Sequence, residues 1–171
     1  MSFIRHQFDD AGVRALLIRS EGRVSPHGPG TKAGHAGGRH VAITRQGLND
    51  RDLNPATAFL TLADQARAAT AALNHHQGQG AYDFLMRQAR TGRRVILEAA
   101  MPTTPVRCGT VHRNWTQPMA VVCLILDRLA QGDGDGFHIH TCYPVLEYRV
   151  GCPSWWVEGT FQFPSGNARR P

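Results

Sequence analysis

Near the middle of the chain the spacing of apolar residues changes. From Thr61 to Arg90 apolar positions recur at helical spacing, whereas beyond Gly92 they alternate or run together in β-branched stretches separated by turn residues. Thr61-Leu-Ala-Asp64 places a hydroxyl cap three residues before an acid, which predicts a helix running through the alanine-rich stretch to about Asn74. A second helix is predicted from about Ala81 to Arg90. The strand candidates are Arg93 to Ala99, Val106 to His112, Met119 to Leu129 and Phe137 to Val150. Gln131-Gly-Asp-Gly-Asp-Gly136 is the sharpest turn signal and predicts a hairpin between the last two. It lacks the closing glutamate of a calcium loop.

Upstream the pattern is weaker. Val13 to Ile18 reads as a short strand or a helical turn, and Ser20 to Gly38, rich in Gly, Pro and His, reads as a linker. Thr44 is an N-cap candidate for a short helix carrying Leu48 and Arg51, weakened by Gly47 and ended by Asn54-Pro55. Thr57 to Leu60 looks extended. Helices first and strands second predict an α+β domain with a twisted antiparallel sheet. The predicted boundaries are an N-terminal extension and linker over 1–33, a domain over 34–150, and a C-terminal extension over 151–171 holding one more strand candidate, Ser154-Trp-Trp-Val-Glu158.

Charge narrows the partners. The 171 residues carry a net charge of +6 and a pI of about 9.8, which favours an acidic partner such as nucleic acid, an anionic membrane or an acidic protein. Lys32 is the only lysine, so nearly all of the positive charge is arginine, the side chain suited to bidentate phosphate contacts. Cys108, Cys123, Cys142 and Cys152 form no C-x-x-C pair or zinc-type spacing and read as mostly buried thiols, with Cys142 to Cys152 the one disulfide candidate. The first residues lack an apolar signal core and no run is long enough for a membrane span, so a soluble chain is expected.

The candidate chemistry lies at two places. Phe137-His-Ile-His-Thr-Cys-Tyr-Pro144 ends in Thr141 and Tyr143, and about a hundred residues earlier stand His40 and Arg51. Histidine can move a proton near neutral pH, and arginine can hold phosphate in two directions. Strand parity puts Thr141 and Tyr143 on one face with Ile139, and His138, His140 and Cys142 on the other. His140 should then point away from any cleft lined by Thr141 and Tyr143, unless a bulge intervenes.

Taken together, Gly37-Gly-Arg-His-Val41, an arginine eleven positions after His40, the Thr-Ala-Phe segment before an alanine-rich helix and the closing Thr-x-Tyr-Pro strand resemble the bacterial RNase A-like toxin domains of contact-dependent growth inhibition proteins and other polymorphic toxins. The resemblance covers about two thirds of the chain and leaves out 1–33 and 145–171. It implies an RNase A-like fold without the disulfides, no cofactor, and a metal-independent ribonuclease with His40, Arg51, Thr141 and Tyr143 in its active site. Such a domain is delivered into the cytoplasm of a target cell, cleaves RNA there, and is neutralised by a cognate immunity protein, here expected to be acidic. His40 is then the general base, Arg51 the charge stabiliser, Thr141 a donor to a non-bridging oxygen, and Tyr143 a phosphate ligand or acid. His140 is the competitor for the acid role and His35 a further candidate. Two other readings stand beside this one. One is a non-catalytic nucleic-acid-binding domain using Trp115, Trp155 or Trp156 as stacking surfaces. The other is a metal-dependent nuclease using His138 and His140, which lacks a carboxylate cluster in the nearby sequence.

Overall fold

The computed structural model describes residues 6–24, 34–49, 55–89, 91–110, 112–130 and 134–160. The first helix, α1 (Asp10–Ser20), settles the ambiguity over Val13 to Ile18. Asp9 caps it by accepting from the Gly12 amide at 2.7 Å, and Val13, Leu16, Leu17 and Ser20 form a single buried stripe. Three of these residues sit in the main hydrophobic core. The segment expected to lie outside the domain, where described, is therefore part of its core.

Two short helices follow, α2 (Ala36–His40) and α3 (Arg45–Asn49), then the extended segment β1 (Ala56–Phe59). The predicted Thr44 cap holds, since its hydroxyl accepts from the Gly47 amide at 3.1 Å. The cap at Thr61 starts α4 (Leu62–Asn74) as its sequence implies: its hydroxyl accepts from the Asp64 amide and donates to the Asp64 carboxylate. Its small Ala66, Ala68, Ala69 and Ala72 let the helix lie close against the sheet.

The next helix, α5 (His76–Met86), starts five residues before the position expected from sequence. His-His-Gln-Gly-Gln-Gly has poor helix propensity, but packing overrides it. A Cβ on Gly78 would stand 2.0 Å from the Ala72 carbonyl oxygen, so the close turn from α4 into α5 needs a glycine there.

The strands are β2 (Arg94–Gly109), β3 (Asn114–Arg128), β4 (Phe137–Val145) and β5 (Ser154–Val157). Two predicted strands, Arg93 to Ala99 and Val106 to His112, are the two ends of β2, whose pairing with β3 is irregular between Ala100 and Thr104, around Pro102. The sheet is antiparallel in the order β1-β2-β3-β4, with β5 also pairing β2. It curls until β1 meets β4, where the Thr57 hydroxyl donates to the Pro144 carbonyl at 2.6 Å. Helices α1, α4 and α5 cover the face that carries the main core, whereas Leu48 of α3 packs on Ala56 and Ala58 and His40 of α2 on Tyr143, away from that core. The observed class is the expected α+β with an antiparallel sheet.

Because β5 pairs β2 from Glu98 to Val95, the expected C-terminal extension also contributes to the sheet. Cys108, Cys123 and Cys142 are buried thiols, while Cys152 is exposed and the Cys142 to Cys152 disulfide is not formed. Among the described residues, no helix is long and apolar enough to cross a membrane.

Candidate active site

A bulge in β4 decides the geometry of the site. Thr141 pairs with Ile125 and Ile139 with Leu126, so His140 is an extra residue in the ladder. Ile139 and Cys142 consequently both enter the main core, while Tyr143 packs on the opposite side of the sheet with Cys123 and Ile125. The uninterrupted parity expected from sequence, with Ile139 on the Thr141 and Tyr143 face and His138 and His140 opposite, is incorrect. His138 and His140 approach the same Asp127 carboxylate oxygen at 3.2 and 3.6 Å, and the His140 ring meets that of His35.

Four rings converge there from two distant parts of the chain. His35 lies edge-on to His140, with centroids 5.1 Å apart, and is 5.7 Å from His40; the His40 ring in turn stacks on Tyr143 at 5.2 Å. Local structure holds α2 in place: the His35 amide donates to the His140 carbonyl at 2.9 Å, and the Gly37 and Gly38 amides donate to the Glu21 carboxylate at 2.8 and 3.1 Å. Ser20, at the end of α1, accepts from the Ile139 amide at 3.2 Å. Thus α1 supports both histidine-bearing segments. Sequence reasoning placed Ser20 and Glu21 in a linker and missed this role, although the Asp9 cap and the apolar stripe of α1 were visible signals.

Of the expected site residues, the structure brings together His35, His40, His140 and Tyr143, with Thr141 beside the bulge. Arg51 lies outside the described residues. His40 and His140 are 8% and 5% exposed, so an incoming ligand would approach across the half-buried His35 and Tyr143. The Thr141 hydroxyl is buried and makes no hydrogen bond among the described residues, which leaves it able to donate to a ligand oxygen.

The electrostatics around His140 come from β2 and β3. Arg94 grips Asp127 through two bonds, Nε to Oδ1 at 2.6 Å and Nη2 to Oδ2 at 2.9 Å, both groups being buried. Burial and the Arg94 charge push the His140 pKa down to about 4, with smaller contributions in the same direction from His35 and His138 and opposition from Asp127. Since the unfolded chain takes up this proton near pH 6.5, stability is fully present above that pH and is lost as pH falls through about 4. Unfolding at a series of pH values is expected to show this loss, and His140→Asn to flatten it. An equal slope in both proteins would mean that another group controls it.

Asp127, His138 and His140 also offer three potential metal ligands within 4.8 Å of one another. A carboxylate therefore does accompany His138 and His140, supplied across the hairpin, contrary to the sequence expectation. Arg94 nevertheless occupies both of its oxygens, and a buried guanidinium repels a divalent ion at that place. The arrangement suits an ion-paired carboxylate that orients two histidines better than a metal centre.

On the far side, Arg149 donates to the Tyr143 hydroxyl at 2.8 Å and pairs with buried Glu98 at 2.9 Å. Burial raises the Tyr143 pKa well above its usual value, so its phenol stays protonated at neutral pH. Each of the three tryptophans already has a neighbour on its ring. Arg113 lies over Trp115, Trp155 packs on Phe84, and Arg149 lies over Trp156.

In comparison with known proteins, no family model, curated protein or solved structure matches this chain.

Proposed function

We propose that this chain is a metal-independent ribonuclease that cleaves RNA through the substrate's own 2′-hydroxyl. The observation that carries the reading is the convergence of His40 and His140, with His35 between them, beside the available Thr141 hydroxyl. His40 takes the proton of the 2′-hydroxyl as its oxygen attacks phosphorus. The bond from phosphorus to the 5′-oxygen breaks, His140 protonates that oxygen, and the products are a 2′,3′-cyclic phosphate and a free 5′-hydroxyl. Thr141 donates to a non-bridging oxygen of the crowded intermediate.

His140 is neutral in the free protein at pH 7, as its depressed pKa requires. A bound phosphate brings negative charge against the influence of Arg94 and raises that pKa, so His140 takes up its proton together with the substrate. Tyr143, held neutral and engaged by Arg149, serves as a platform for His40 and not as the acid. The net charge of +6 favours encounter with RNA. In the biological setting suggested by the resemblance, the chain is an effector acting in a target cell's cytoplasm, and its inhibitor is an acidic immunity protein whose carboxylates take the place of RNA phosphates.

Substrate chemistry tests the reaction. An RNA oligonucleotide is expected to be cut in the presence of EDTA with a 2′,3′-cyclic phosphate end, and the same oligonucleotide made 2′-deoxy at the scissile position is expected to resist. Cutting of the deoxy substrate would sink the mechanism, and complete loss of activity with EDTA would favour a metal at Asp127, His138 and His140.

A further inference from the structure

The connection after β4 carries an arginine outside the expected set. Arg149 donates its amide to Glu98 Oε2 at 2.7 Å and its Nη2 to the Tyr143 hydroxyl at 2.8 Å, and its Nε forms an ion pair with Glu98 Oε1 at 2.9 Å. Glu98 is fully buried and sits on β2, while Tyr143 sits on β4, two strands away. The guanidinium is planar and lies over Trp156, so its fork has little freedom. The Tyr143 ring is consequently fixed at both ends, by its strand pairing with Cys123 and by its hydroxyl. Its face lies against the His40 ring at an interplanar angle of 28°.

We propose that Arg149, anchored by Glu98, is a positioning residue that sets the orientation of His40 through the Tyr143 ring. This role rests on the ribonuclease reading only for its catalytic consequence; the coupling itself is a property of the fold. A lysine could not replace the arginine, because a point charge cannot serve a carboxylate and a hydroxyl in fixed directions. Removing Arg149 alone would also leave the Glu98 carboxylate buried without its cation, so the pair must be removed together.

The test follows the His40 ring signals by NMR, assigned with His40→Ala, in Tyr143→Phe, in Glu98→Gln with Arg149→Met, and in the triple variant. Tyr143→Phe keeps the ring volume and loses only the hydroxyl, so it remains informative if the pair variant fails to fold. The His40 signals and their titration are expected to move in Tyr143→Phe and in the pair variant, while the exposed His112 does not respond. The triple variant should be no worse than Tyr143→Phe, the sign that both act through one contact. On a short RNA, kcat should fall about tenfold with KM unchanged, since misplacing a catalytic group costs rate more than binding. His40 signals unchanged in folded Tyr143→Phe, or additive effects in the triple variant, would overturn the proposal. If the His40 signals respond as expected and the parent protein cuts no RNA, the coupling stands and the ribonuclease reading falls.

Discussion

His40→Ala is expected to lower RNA cleavage by about 10²–10⁴-fold, the usual contribution of a general base. The ring ends the short helix α2 and is almost covered, with His35 on one side and Tyr143 beneath it. No other described side chain stacks on Tyr143, so truncation leaves that position without a proton acceptor. The helix itself is held by main-chain bonds to Glu21 and to the His140 carbonyl, which the substitution does not touch. Cleavage should accordingly be lost in a variant that keeps its fold, at a lower melting temperature because the covered ring leaves a cavity. Folded His40→Ala with the parent's rate would remove His40 from the mechanism.

His140→Ala should be nearly as damaging, a loss again on the order of 10²–10⁴-fold. Strand parity without a bulge leads to the opposite expectation, a variant that keeps much of its activity. The structure reverses this because the register shifts at His140, bringing its ring to Asp127 and His35. Asp127 keeps its pair of bonds to Arg94 in the variant, so no buried carboxylate is stranded. The comparison is made on folded protein with the same RNA used for His40→Ala. Parent-like cleavage by His140→Ala would return the acid role to another group and reduce the bulge to a packing feature.

The local parts of the site were legible. Thr61-Leu-Ala-Asp64 announces α4, Thr44 caps α3, and the Asp/Gly-rich segment separates β3 from β4, because caps and turns depend on residues within one turn of each other. His40, Thr141 and Tyr143 stood out by residue type, and three of the four converging rings were named at the start as site residues or competitors, His35 being the further candidate. Less legible was the N-terminal segment, whose Gly, Pro and His content hides that Ser20 and Glu21 hold the bulge and α2. The same holds for α5, where a tight approach to α4 makes a helix from residues that would not form one alone.

By itself the sequence determined the class of fold, the succession of helices and then strands after Thr61, the basic charge and the short list of residues able to move a proton. These follow from periodicity, capping and composition, which are properties of neighbours in the chain. Only the tertiary structure decided which of those residues meet. The extra residue at His140 turns its ring to Asp127, a carboxylate supplied across the hairpin and held by Arg94 from a third strand. Arg149 reaches Tyr143 only because the connection after β4 folds back over Glu98 of β2. A bulge alters the facing of a side chain without altering the alternating pattern that announces a strand, and pairing across a sheet joins residues whose separation in sequence carries no signal.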